Sequence, residues 1–337
     1  MSSPVCVIIP AFNAQASIAR AVSSALAELE VAEVIVVDDH SSDDTAAAAR
    51  RADDGSSRLQ VFRLEANRGP SAARNLAIRS SRSPLVAILD SDDYFLPGRF
   101  ARLLSHDGWD LAADNILFVP EGLEGAPPVS VPPRPRWRNL AFAEFVTGNI
   151  PVAGRPRAEL GFLKPVMKRS MLDSLQLRYD EDVRLGEDYL LYATALAKNA
   201  RYLISEACGY VAVERAGSLS GNHVTEDLAR LIAGDAKLLG MLPGGSVEAR
   251  LVARHLASVQ VRYDHRRFLD DKRDTGLAAA ITPFLTRPLA LARIARAVLR
   301  DKSSKQHAGN TRGPRTLLSE QEFLLLPTLE VDATHVR

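Results

Sequence analysis

Three carboxylates within four residues, Asp90-Ser91-Asp92-Asp93, follow the apolar run Leu85–Leu89. Packed so closely they repel one another unless a cation sits among them. Hard oxygen donors of this kind suit Mg²⁺ or Mn²⁺, ions that keep several waters and bridge to substrate phosphates. The competing reading is a solvated acidic turn before a helix starting near Pro97. A second acidic pair, Asp38-Asp39, closes the apolar run Val34–Val37. It can accept from a base N–H or a sugar hydroxyl, or cap a helix over residues 41–51. Asn67-Arg68-Gly69-Pro70 enters a third helix. Gly69 permits close backbone approach there, and a helix start favours anions. Arg74, one turn further in, faces the same crevice or a surface carboxylate. Gly186-Glu187-Asp188-Tyr189 opens another helix with two acids. These are first-turn partners of the helix dipole, or they include a general base within reach of an acceptor hydroxyl. The run Asp180–Asp182 competes for that role but lacks a following apolar helix.

Such groups need rigid elements to hold them. Val5–Ile9, Val34–Val37, Leu59–Leu64 and Leu85–Leu89 read as strands. Between them, Ala14–Leu29, Asp43–Arg51 (capped by Ser42 or Asp43) and Pro70–Ser80 read as helices. The alternation predicts an α/β fold with a mostly parallel sheet and helices on both faces. Ligands of such sheets lie beyond the carboxyl ends of the strands, where Asn13, Asp38-Asp39 and Asp90–Asp93 fall. Six prolines between Pro120 and Pro135 predict a surface connection. Further on, Asn139–Thr147 and Gly186–Asn199 read as helices, and Arg201–Ile204 and Ala207–Val213 as two strands. After Thr225 the pattern is mostly helical to about Arg300. A basic stretch rich in Ser and Gly then predicts a mobile tail. The expected organisation is a domain over residues 1–222, with halves 1–118 and 136–222, then a helical region 223–300 and a tail 301–337.

Composition narrows the function. The 42 Lys and Arg balance 41 Asp and Glu, which argues against a dedicated nucleic-acid binder. No Gly-x-Gly-x-x-Gly follows Val5–Ile9 and no Walker-type loop occurs, which counts against dinucleotide or ATP chemistry. Cys6 and Cys208 read as reduced, buried thiols. The first ten residues lack the pattern of a signal peptide, and no run approaches the ~18 apolar residues of a membrane span. A cytoplasmic location is therefore expected.

Four segments occur in a telling order: Val5-Cys-Val-Ile-Ile-Pro-Ala-Phe-Asn13, residues 33–45 around Asp38-Asp39, Asn67–Asn75, and Leu89-Asp-Ser-Asp-Asp-Tyr94. Together they resemble the nucleotide-sugar-binding half of family 2 glycosyltransferases, which have the GT-A fold. The resemblance is specific over residues 4–105 and looser to about 225. It implies that Pro10, Ala11, Phe12 and Asn13 line the nucleotide, with Asp39 on uracil. It also implies donor contacts from Asn67, Gly69, Arg74, Asp90 and Ser91, with Asp90 at the ribose or a metal water. Asp92, with Asp90 beside it, would hold Mg²⁺ or Mn²⁺ on the diphosphate. Asp188 would be the general base, with Glu187 the alternative one residue away.

The segment Leu160–Leu172 resembles the acceptor side of bacterial polysaccharide members, closest to succinoglycan-type exopolysaccharide glucosyltransferases. Lys164 and Lys168 there contact an anionic acceptor diphosphate or form a solvated face. Arg215, Ser218, Ser220 and His223 lie where relatives place a loop over the donor diphosphate, His223 being a third metal ligand or simply solvated. Residues 287–305 carry six basic residues and one acidic. They form a packed helix with a charged face, or a basic amphipathic helix on anionic lipid at the inner face of the membrane.

The resemblance implies inverting transfer of a hexose, glucose by analogy, from a UDP-sugar to a hydroxyl of a lipid-linked polysaccharide repeat unit, without nucleic acid. Two alternatives stay open. One is a silent sugar-nucleotide-binding scaffold, disfavoured by the full set Asp39, Asp90, Asp92 and Asp188. The other is an Asp-dependent phosphoryl-transfer enzyme, whose nucleophile would follow the first strand, where Pro10-Ala11-Phe12-Asn13 stands.

Overall fold

Val5–Ala11 (β1) is buried at every position, as a strand covered on both sheet faces must be. In the computed structural model it is followed by α1 (Ile18–Leu26), β2 (Val31–Asp38), α2 (Thr45–Arg51), β3 (Leu59–Arg63), α3 (Pro70–Ser80) and β4 (Leu85–Ile88). The structure describes residues 4–123, 125, 135–151, 158–215, 224–295 and 313–328. α1 buries Ile18, Ala21, Val22, Ala25 and Leu26, a spacing of three and four that forms one apolar stripe. α3 begins at Pro70, whose fixed φ suits a first turn, after Gly69 at φ +87°. Its Ala72, Ala73 and Ala77 are small enough to let the helix lie close on the sheet. β1 pairs in parallel with β2 and β4, and β2 with β3.

The next elements are β5 (Tyr94–Phe95), α4 (Arg99–Leu103), β6 (Leu111–Pro120), β7 (Trp137–Asn139), α5 (Phe142–Thr147), β8 (Val166–Lys168), α6 (Arg169–Ser174), α7 (Glu187–Ala197) and β9 (Tyr202–Glu214). They extend the sheet in the order β3-β2-β1-β4-β8-β6-β9-β5. β8 enters antiparallel between β4 and β6, whereas β6 and β9 are parallel. The sheet is thus parallel through the first four strands and mixed beyond them, a refinement of the mostly parallel expectation. Another expectation needs correcting. The two strands read around residues 201–213 are one strand, β9, whose register shifts opposite Asp114 and Asn115. A bulge absorbs the polar break between the two apolar runs.

The chain divides into one unit of residues up to 215 plus those from 314, and a second of residues 216–313. In the second unit α8 (Thr225–Met241) and α9 (Val247–Thr275) are followed by α10 (Leu277–Ile281). Ser246 caps α9 by accepting from the Ala249 amide. Residues 314–328, expected as part of a tail, instead rejoin the first unit. β10 (Arg315–Thr316) pairs with β6, and α11 (Glu320–Leu325) follows. The Asn115 side chain holds both the amide and the carbonyl of Leu318, giving that return a fixed register. Among the described residues no helix is long and apolar enough to cross a membrane.

Candidate active site

The carboxyl ends of β1, β2 and β4 lie side by side, so the polar residues that follow them share one edge of the sheet. At β2, Asp38 and Asp39 diverge. Asp38 is fully buried and accepts from the Ser41 amide at 3.0 Å, with Arg63 at 3.6 Å. Asp39 accepts from the amides of Arg68 and Gly69, both at 2.7 Å. The anion held at the start of α3 is therefore the Asp39 carboxylate itself. Each Asp39 oxygen keeps a second lone pair. Asn67 donates to the Asp39 carbonyl, and Asn13, at φ +50°, accepts from Ser42. Pro10 and Ala11 are buried in β1, whereas Phe12 stands 45% exposed at its end.

The acidic turn after β4 splits three ways. Asp93 is buried, accepting from the Tyr210 hydroxyl at 2.7 Å and the Val213 amide at 2.9 Å. Burial, with the charges of Asp92 and Asp90, pushes its carboxyl well above the usual range. Asp92 is half-buried, as is Ser91, and the Asp92 carbonyl accepts from Arg20. Asp90 meets two cations, Lys164 Nζ at 3.0 Å and Arg74 Nη2 at 3.1 Å. Burial would raise its carboxyl, but Lys164 and Arg74 outweigh that and hold it at about 2.

Those cations reach the second acidic site. Arg74, 3% exposed, donates to Glu187 at 2.6 Å and lies 3.8 Å from Asp188. Lys164 Nζ lies 2.6 Å from Asp188 Oδ2. Asp90, Glu187 and Asp188 thus share one partly buried cluster with Arg74 and Lys164, three anions against two cations. Burial first, then the Asp188 charge, raises the Glu187 carboxyl despite Arg74. Burial would lower the Lys164 ammonium, but Asp188 and Asp90 raise it. Lys164 is buried and ion-paired, not the solvated face that the sequence left open. Lys168 Nζ instead lies over the Trp109 ring.

The competing acidic run Asp180–Asp182 has a different use. Glu181 pairs with Arg68 and accepts from Asn75, whose amide also donates to the Tyr179 carbonyl. Ser71 donates to the Val183 carbonyl. This turn clasps α3 and so carries Glu187 and Asp188 to Arg74. Arg215 lies 3.6 Å from Glu121. Ser218, Ser220 and His223 lie outside the described residues.

Sequence reasoning missed the support behind the cluster. Arg99, fully buried, pairs with Asp114 through two nitrogens and donates to the Lys164 carbonyl at 2.5 Å. The rings of Phe95 and Tyr210 lie against its guanidinium. Gly209 makes room, since a Cβ there would run into the Asp114 carboxylate and Arg99 Cγ. Only a lone Gly inside an apolar strand pattern hinted at such a close approach.

Among the described residues no three His, Cys, Asp or Glu side chains gather as a metal cage. The turn nevertheless fits a divalent ion. Burial first, and then the charges of Asp92 and Asp90, raise the buried Asp93 carboxyl, so a cation beside the turn would relieve that repulsion. Its half-buried Asp92 is the kind of single carboxylate that Mg²⁺ uses together with substrate phosphates and water.

The sequence model described as Glycosyl transferase family 2 matches residues 6–151. The chain is 49% identical to the succinoglycan biosynthesis protein ExoU of Rhizobium meliloti, over 97% of this chain and 96% of that one. It is 31% identical to ExoO of the same organism, over 94% and 93%. Among solved structures, S. aureus TarS 1-349 in complex with UDP-GlcNAc matches with a TM-score of 0.55 at 19% identity, over 82% of this chain and 89% of that one. This last likeness is one of fold.

Proposed function

From the premise that the chain belongs to glycosyl transferase family 2 and is a glycosyltransferase, we propose that it moves a hexose, glucose by analogy, from a UDP-sugar to an acceptor hydroxyl with inversion. The observation that carries this reading is the cluster in which Arg74 and Lys164 join Asp90, on the donor side, to Glu187 and Asp188. Donor and acceptor chemistry need adjacent charged groups, and here one connected, partly buried set serves both.

Phe12, Asn13 and Asp39 line the nucleotide, with the remaining Asp39 lone pairs accepting from the base. Asp92, with Asp90 at its side, would hold Mg²⁺ or Mn²⁺, which would offset charge on the leaving diphosphate. Asp188 takes the acceptor proton while the acceptor oxygen attacks the anomeric carbon from the face opposite UDP. A single displacement turns an α-linked donor into a β-linked product. The acceptor is a polysaccharide repeat unit carried on lipid, a reading supported by the 49% identity to a succinoglycan biosynthesis protein.

A lipid-borne acceptor requires the enzyme to work at the inner face of the membrane. Leu289 and Arg293 are exposed four residues apart on one helical stretch, and this face is the peripheral contact. The test of the main reading is UDP release from a panel of UDP-sugars, with and without Mn²⁺, in the presence of lipid-linked acceptor. Acceptor-dependent UDP release with β-linked product supports it. Binding without turnover selects the silent scaffold, and phosphate release without sugar transfer selects the phosphoryl-transfer alternative.

A further inference from the structure

Among the described residues, Lys164 is the one cation that contacts both Asp90 and Asp188 at close range on a single nitrogen, at 3.0 and 2.6 Å. We propose that Lys164 is a positioning residue that acts through Asp188, pinning one carboxylate oxygen so that the other is presented to the acceptor hydroxyl. This rests on the reading of Asp188 as the base.

The ammonium is held from behind by rigid parts. Pro165 follows it, then β8, which is hydrogen-bonded between β4 and β6 in the sheet. The Lys164 carbonyl accepts from Arg99, which Asp114 and two aromatic rings lock in place. The backbone that launches the side chain is therefore fixed in direction.

The two oxygens of Asp188 are treated unequally. Oδ2 takes the short Lys164 contact. Among the described residues, Oδ1 has only the longer contacts to the Tyr192 hydroxyl at 3.4 Å and Arg74 at 3.8 Å. A carboxylate pinned at one oxygen cannot rotate freely, and the looser oxygen is the one available to a proton. Buried ion pairs contribute little net stability, but they select one geometry. A displacement of about 1 Å in a catalytic group costs on the order of 10²-fold in rate.

The experiment is a double-mutant cycle on the full chain with Lys164→Met and Asp188→Asn, reading kcat and donor KM separately. Lys164→Met is expected to lower kcat about 10²-fold while donor KM stays within about threefold. In the Asp188→Asn background the same change should lower the residual rate by less than about threefold, because the group it positions is already gone. Additive losses overturn the proposal, as does a raised KM with unchanged kcat, which would put Lys164 on substrate. A near-normal rate for Asp188→Asn alone overturns the base reading instead, and is distinguishable from both. Should Lys164→Met not fold, Lys164→Arg keeps a buried cation but replaces the compact ammonium with a longer planar fork. Its kcat loss should likewise vanish in the Asp188→Asn background, and wild-type kcat in Lys164→Arg or an additive loss overturns the proposal.

Discussion

Arg74 on α3 donates to Glu187 on α7 at 2.6 Å, although 113 positions separate them. Glu187 is thereby committed to holding two elements together. Its neighbour Asp188 meets the same arginine only at 3.8 Å. One acid of the pair clasps two elements together, and the other, the proposed base, is paired with Lys164 instead.

That difference makes the pair its own control. Asp188→Asn should keep UDP and metal binding while transfer falls about 10²–10⁴-fold, the usual contribution of a positioned general base. Glu187→Gln should cost far less in kcat, since an amide still accepts from Arg74. Steady-state transfer beside calorimetric UDP binding separates the two. A dead Glu187→Gln with an active Asp188→Asn would move the base by one residue.

Asp92→Asn should abolish the Mn²⁺-dependent part of UDP binding and leave the fold intact. Its charge contributes to raising the buried Asp93 carboxyl, so neutralising it relieves repulsion. The melting temperature without ligand should hold or rise. Calorimetry with and without Mn²⁺ checks the first half, and unchanged metal-dependent affinity would remove Asp92 from the ion.

Acid should unfasten the cluster in a defined window. The Asp90 carboxyl is held at about 2, below its ordinary value near 4, because Lys164 and Arg74 together outweigh burial. The native state therefore binds this proton more weakly than the unfolded chain does. The resulting stability is complete above pH about 4 and is lost as pH falls through about 2. Denaturant unfolding between those limits should show a steeper pH dependence for the parent than for Asp90→Asn.

Gly209→Ala should destabilise the protein by about 1–3 kcal/mol, the cost typical of overpacking a filled interior. The added methyl meets the Asp114 carboxylate and lies 2.7 Å from Arg99 Cγ, and neither side chain is at liberty to move aside. A drop in kcat should accompany the loss, because Arg99 holds the Lys164 carbonyl. Urea midpoints and transfer rates on the same preparation test both halves.

Replacing Arg293, Arg296 and Arg300 together by Gln should move the protein from liposome pellet to supernatant at low salt. Each basic residue near an anionic surface contributes about 1 kcal/mol. Arg296 and Arg300 lie outside the described residues, while Arg293 is exposed near Leu289. Equal sedimentation of parent and variant would leave only a packed helix with a charged face.

The donor half was legible in the sequence because its information is local. A strand buried on both faces reads as a continuous apolar run, and α3 was expected at Pro70–Ser80 and is found there. The acids after each strand advertise themselves by following such runs. The division of labour among those acids was not legible, because it depends on partners far along the chain. Asp93 is drawn inward by Tyr210, Asp39 is held by amides at the start of α3, and Asp90 is joined to Asp188 through Lys164. Lys164 reads as an acceptor contact or a solvated face, since a lone lysine in the sequence carries no sign of being buried and ion-paired. Hydrophobic periodicity reports which face of an element is covered and never by what. Only the tertiary structure, by threading β8 between β4 and β6, decided that a lysine from one segment would neutralise aspartates from two others.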